Sequence, residues 1–259
     1  MSIKSLIIIQ ARRGSTRLPD KILMPLAGEP LIYRMYERVK ESKSNSEIVI
    51  ATTTNSEDDI VCELCLKKSI KYFRGHPTDL LDRHYNAAIE SDADIIAKIP
   101  SDCPLIDPEI INKVFGYYFE NRNKFDYVSN LHPATYPDGN DVEIFTFEAL
   151  KNAYENATKN FEREHTTPYF WENRKKFRIG NYEWETGLDY SKSFRFTIDY
   201  PEDYDFIKRV YDELYRKETF FGVNDIINLI KQKPEIYDIN KKYLGEYWYK
   251  NHLGELKNI

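Results

Sequence analysis

The chain has 259 residues, enough for one large α/β domain with a substantial core. A net charge of −5, with 31% of residues charged, argues against broad nucleic-acid binding and makes a local cluster of cations stand out. Nothing resembles a signal peptide, and no apolar run nears the roughly 18 residues of a spanning helix, so a cytoplasmic protein without a membrane partner is expected.

Leu6 to Ile9 is a run of apolar residues that reads as a strand buried on both faces, the usual state in a parallel sheet. The chain then turns polar at once, with Arg12, Arg13, Arg17 and Lys21 around Gly14, Ser15 and Thr16. Gly14 permits a sharp turn that brings N–H groups close to a ligand. Cations grouped at the carboxyl end of a strand suit a triphosphate, because Arg and Lys supply charge-assisted donors. The loop carries neither the Walker A ending nor the dinucleotide fingerprint, and a solvated basic turn is the alternative.

A helix over 31–42 and a buried strand over 47–53 follow. Ser56 reads as the cap of a helix whose first turn holds Glu57, Asp58 and Asp59. Cys62 and Cys65 fall mid-helix with no second pair to complete a zinc site, so they read as packing residues; with Cys103 they make no disulfide framework. A short strand at 71–73, a loop at 74–78, a helix at 79–90 and a strand at 95–99 come next. That strand runs into Ser101-Asp102-Cys103-Pro104, Pro108 opens a helix to about 120, and 126–129 is a fifth strand. The alternation predicts a doubly wound α/β sheet that binds ligands at the carboxyl ends of its strands.

The second half is less regular. Its elements are a turn-rich loop at 135–141, a strand at 142–145, helices at 147–157 and 163–172, strands at 177–180 and 194–198, and helices at 200–217 and 223–231. The aromatic and charged tail, 237–259, reads as a packed helix. Asp102 and Asp199 each lie just past a strand and close before a proline. Two carboxylates at two strand ends, facing a basic loop on a third, can hold Mg2+ against phosphate oxygens. An Asx turn competes for Asp102, and a helix-entry acceptor role for Asp199.

The segments IIQARRGSTRLPDK, FRG and LLDR (73–75 and 80–83), SDCPLIDPE, YPDGNDVEIFTFEAL, EREHTTPY and FTIDYPEDYDFIKRVY occur in this order. Together they resemble the cytidylyltransferase family that includes the spore-coat polysaccharide proteins of the SpsF group. More distantly they are similar to the sugar-acid cytidylyltransferases that make CMP-activated octulosonate and sialic acid. The resemblance covers residues 7–211. It implies a GT-A-like, Rossmann-like nucleotidyltransferase fold with a mostly parallel sheet and a small strand-and-helix insert in the second half. A single domain over 1–259 would comprise a nucleotide-binding half (1–130), an acceptor and metal half (131–236) with a dimerisation insert, and a packed tail (237–259).

The implied chemistry is attack of an acceptor oxygen on the α-phosphate of CTP, with Mg2+ and release of pyrophosphate, in surface polysaccharide or glycoconjugate synthesis. Carried over residue by residue, Ala11, Arg12, Gly14, Ser15, Arg17 and Lys21 would bind the triphosphate. Asp102, next to Ser101, and Asp199 would bind the metal, and Arg74 with the segment to Arg83 would approach the base. Tyr136, Asp138, Asp141, Glu143, His165 and Tyr169 would face a sugar-acid, sugar, phosphate or phosphonate acceptor; Asp138 and Glu143 also suit structural roles around Gly139. Catalysis would rest on Lys21, Arg12, Asp102 and Asp199, with His165 or Asp141 as the base if the acceptor is a hydroxyl. The resemblance also implies a homodimer. Three positions depart from the family pattern: Ser101 and Asp20 stand where Gly is common, and Arg13 where Met is frequent. A GT-A glycosyltransferase and a non-catalytic nucleotide-binding relative are the alternatives. The cation density of the loop favours a triphosphate over the diphosphate donor of a glycosyltransferase.

Overall fold

The computed structural model describes residues 3–246, 254 and 256. Strand β1 (Ser5–Gln10) leads through the basic loop to a small hairpin, β2 (Pro25–Leu26) and β3 (Glu29–Pro30), and to helix α1 (Leu31–Lys40). Strand β4 (Glu47–Thr53), helix α2 (Asp59–Lys68), strand β5 (Lys71–Gly75), helix α3 (Leu80–Glu90), strand β6 (Ile95–Pro100) and helix α4 (Pro108–Glu120) continue the alternation. The second half adds β7 (Tyr127–Ser129), β8 (Glu143–Thr146), α5 (Phe147–Asn156), α6 (Asn160–His165), α7 (Pro168–Glu172) and β9 (Ile179–Asn181). Helices α8 (Pro201–Leu214), α9 (Val223–Gln232) and α10 (Pro234–Tyr237) follow.

Seven strands form one sheet in the order β5-β4-β1-β6-β8-β7-β9. Strand β1 pairs in parallel with β4 and β6, whereas β8 runs antiparallel to both β6 and β7. The fold is therefore α/β with a mostly parallel sheet. Alternation along β1 sends Ile7 and Ile9 into one core and Leu6 and Ile8 into the other, which is why the run is apolar throughout. Helices α1, α2, α4, α8 and α9 cover the first face, and α3, α5, α6 and α7 the second. Each isoleucine buried this way contributes about 1.5–3 kcal/mol relative to exposure.

Several expectations need correction. Phe194 to Ile198 is extended, but its ladder pairing is limited to a parallel bridge between Asp138 and Arg195, and it is not a strand of the sheet. The helix expected over 163–172 is broken into α6 and α7 at Thr166, whose φ of +67° leaves the helical region. Ser56 makes no side-chain cap; a 3-10 turn over Ser56–Asp58 precedes α2. The tail is not one helix, since α10 ends at Tyr237 and only a 3-10 turn, Lys241–Tyr243, follows before Glu246. Most of 247–259 lies outside the described residues. Cys62 and Cys65 are buried on α2, and burial pushes the Cys65 thiol up to about 12.

Candidate active site

The basic loop leaves the carboxyl end of β1 and is fastened to its neighbours through the backbone. Ala11 is buried and donates its N–H to Ala51 O at 2.9 Å. The N–H of Arg13 donates to Asp58 Oδ1 at 2.9 Å, and the Thr53 hydroxyl donates to the other oxygen of that fully buried carboxylate. Asp58 thus ties the loop to the end of β4; the sequence suggested only a helix-dipole role for it. Ser15 Oγ accepts from Leu18 N–H at 3.3 Å, and Gly14 is exposed.

Asp20 has a φ of +58°, in the left-handed region that Asp tolerates better than most residues. Its carboxylate accepts from Arg13 Nε at 2.6 Å. The two departures at positions 13 and 20 therefore compensate each other, since the additional cation pairs with the additional anion. Arg13 also donates to Glu57 O at 2.9 Å, which ties it to the 3-10 turn before α2. Arg12 is exposed and donates to Pro77 O at 3.2 Å.

Arg17 and Lys21 reach across to the second half of the chain. Arg17 Nη2 lies 2.7 Å and Lys21 Nζ 3.2 Å from Asp199 Oδ1, and Lys21 also donates to Ile198 O at 2.7 Å. Burial acts to raise the Asp199 carboxyl, but Lys21 and Arg17 outweigh it and hold the group below the usual carboxylate range. The helix-entry role is taken by Asp203, whose Oδ2 accepts from Asp199 N–H at 2.9 Å and Tyr200 N–H at 3.0 Å. Asp199 is thereby free to point its side chain at the basic loop.

Asp102 stands beside Asp199 because the two segments are bonded. Its carbonyl accepts from Ile198 N–H and from the Thr197 hydroxyl, both at 2.9 Å. Among the described residues no backbone N–H reaches its carboxylate, which meets only the Cys103 thiol at 3.6 Å, so no Asx turn forms. The loop over 136–141 lies against the same extended segment. Gly139, with φ +98°, approaches so closely that a Cβ would sit 2.6 Å from Phe196 C and Thr197 N. This close approach brings two more acids in. Burial, Asp141, Asp102 and Asp199 drive the Asp138 carboxyl well above its ordinary range against the pull of Arg195. Burial, Asp102 and Glu143 push Asp141 up to about 7.

Such crowding of hard oxygen donors suits a divalent cation. Among the described residues no three His, Cys, Asp or Glu side chains converge on one point. The donors fit an ion such as Mg2+, which takes one or two carboxylates and completes its shell from phosphate oxygens and water.

The remaining positions divide between supports and linings. Arg74 is committed to Thr53 O, Asn55 O and Asp59, and so braces β5 against the start of α2. Arg83, 2% exposed, donates to the carbonyls of His76 and Pro77 and fixes the course of the segment that Arg12 also touches. Glu143 is buried against Lys98 Nζ at 2.7 Å and accepts from the Tyr127 hydroxyl at 2.6 Å. Lys98 also donates to His165 O and Thr167 Oγ1, so the α6–α7 turn rests on this pair. Tyr136 stacks on Trp184 in the first core, while Tyr169 packs against Phe177 in the second, with its hydroxyl meeting Lys176. The structure does not bring these two tyrosines together. Ser101 is half-buried beside Asp102.

A basic loop at the end of β1 paired with Asp199, on a mostly parallel sheet, is an arrangement that suits a nucleotidyltransferase. Residues 6–241 match the family model described as Cytidylyltransferase, and the chain belongs to that family. Membership sets aside the glycosyltransferase reading. An uncharacterized protein of Methanocaldococcus jannaschii is 37% identical over 240 residues, covering 92% of this chain and 95% of its own. The spore coat polysaccharide biosynthesis protein SpsF of Bacillus subtilis is 29% identical over 241 residues, covering 89% and 95%. The structure of a cytidylyltransferase from Leptospira borgpetersenii superposes with a TM-score of 0.86 at 35% identity, covering 96% of this chain and all of that one.

Proposed function

We propose that this cytidylyltransferase transfers CMP from CTP to a small anionic acceptor in a Mg2+-dependent reaction that releases pyrophosphate. The observation that carries the proposal is the convergence of Arg17 and Lys21 on Asp199 beside Asp102. An α-phosphate resists nucleophiles because its own charge repels them. Arg12, Arg17 and Lys21 would take the triphosphate oxygens and stabilise the charge that builds on the leaving pyrophosphate. Asp102 and Asp199 would hold Mg2+, which supplies further charge neutralisation to the phosphates when bound. The Bacillus subtilis relative is named for polysaccharide biosynthesis, which supports a sugar-derived acceptor. A phosphate or phosphonate needs no general base. A hydroxyl needs one, and Asp141, whose carboxyl burial and Asp102 push up, is a candidate.

The test is pyrophosphate release with CTP, UTP, ATP or GTP, with Mg2+ or EDTA, against a panel of sugar acids and organophosphates. The expected result is release with CTP and one acceptor class, abolished by EDTA, Asp102→Asn and Asp199→Asn. Full activity in EDTA or in both variants would overturn the assignment of the metal site.

A further inference from the structure

Arg195 is 2% exposed and lies in the extended segment just before α8. Its Nε and Nη2 donate to Asp203 Oδ1 and Oδ2 at 2.9 and 3.0 Å, a two-pronged pair with a carboxylate that is itself fully buried. Asn240 fastens both partners, donating from Nδ2 to Arg195 O and to Asp203 Oδ1, each at 3.0 Å. The guanidinium also reaches carboxylates that face the site. Nη1 lies 3.2 Å from Asp138 Oδ2, and Nη2 lies 3.3 Å from Asp199 Oδ2.

Asp199 therefore has cations on both oxygens, with different origins. Those on Oδ1, Arg17 and Lys21, belong to the loop that a triphosphate would engage. The cation on Oδ2 belongs to a fixed clamp in the protein interior. When nucleotide draws the loop cations to its phosphates, Arg195 is the partner that stays. We infer that Arg195, held by Asp203 and Asn240, is a positioning residue that keeps Asp199 oriented for metal-assisted nucleotide binding. The inference rests on the reading of Asp199 as a metal ligand. Only arginine can fill the role, because its planar fork carries five donors, enough for Asp203, Asp138 and Asp199 together.

The test measures affinity for a non-hydrolysable α,β-methylene CTP twice, in saturating Mg2+ and in EDTA, and takes the ratio. The proteins are the wild type, Arg195→Lys, Asp203→Asn, Asn240→Ala and Asp199→Asn. Supporting groups behind metal ligands typically change metal affinity 10–100-fold, so the ratio is expected to fall about 10-fold in the clamp variants. Affinity in EDTA should stay at the wild-type value, which a general loss of structure would not allow. Should Arg195→Lys not fold, Asp203→Asn and Asn240→Ala each loosen the clamp by a smaller change. A wild-type ratio in folded clamp variants, or an equal loss in Mg2+ and EDTA, would overturn the inference. A wild-type ratio in Asp199→Asn would instead remove the metal reading beneath it, a separate failure.

Discussion

Lys21 joins the two ends of the site, since its ammonium bonds a carboxylate 178 residues further along the chain. On the proposed reading, its Nζ would stabilise charge on the α-phosphate or on the leaving pyrophosphate. Lys21→Ala should lower kcat about 10²–10³-fold, by analogy with removal of a single oxyanion donor. Steady-state pyrophosphate release at saturating CTP reads this; an effect confined to KM would show that Lys21 serves ground-state binding alone. Arg13 and Asp20 give a second residue-scale test. Asp20→Gly relieves the left-handed strain and releases the Arg13 side chain, so CTP binding should tighten at low salt. The gain should vanish in an Arg13→Met background, measured by titration calorimetry. The loop cations were legible in the sequence because charge at the end of an apolar strand is a local pattern. Asp58, Asp203 and Arg195 were not, because what makes each of them matter is a partner selected by tertiary folding.

Between elements, the site depends on contacts that local periodicity does not encode. Alternation of strands and helices gave the parallel core, yet β8 is too short to announce that it runs antiparallel between β6 and β7. The extended segment 194–198 reads as a strand by composition but is held by one bridge, a backbone bond from Ile198 to Asp102 and side chains, outside the sheet. Gly139 shows the cost of that arrangement: Gly139→Ala adds a Cβ against backbone atoms at a positive φ. Strain of this kind costs about 1–3 kcal/mol, and the urea midpoint should fall accordingly. Strands β6 and β8 are also joined by the buried Lys98–Glu143 pair. Removing one partner leaves a buried charge without compensation, so Glu143→Gln should cost about 3–5 kcal/mol in urea denaturation. Burial acts to raise the Glu143 carboxyl, but Lys98, Tyr127 and Thr167 outweigh it and hold the group below its ordinary range. Its contribution to stability is thus present above the ordinary glutamate range and lost as pH falls through the depressed value. The acid-induced loss should be smaller in Glu143→Gln than in the wild type.

Across the whole molecule, the basic loop of the first half and the acidic segment of the second neutralise each other when no nucleotide is present. Arg17 and Lys21 hold Asp199 Oδ1, which a metal would need, and Asp199 holds cations that phosphates would need. On the proposed reading, CTP without metal would have to separate that pairing and leave Asp199 facing added negative charge. On the same reading, Mg2+ at Asp199 without CTP would have to displace two cations from a carboxylate and leave them facing a divalent ion. Together the two ligands would exchange one set of ion pairs for another, with opposite charges matched. Binding of one should therefore strengthen binding of the other, a coupling that is reciprocal by linkage. A ligand that binds only the folded state raises the melting temperature according to its occupancy. The shift with CTP and Mg2+ together should accordingly exceed the sum of the shifts with CTP in EDTA and with Mg2+ alone. In Asp199→Asn the loop cations lose their carboxylate, so CTP in EDTA should stabilise that variant more than it stabilises the wild type. Strictly additive shifts in the wild type, or a weaker effect of CTP on Asp199→Asn in EDTA, would show that the two halves do not compete for the same charges.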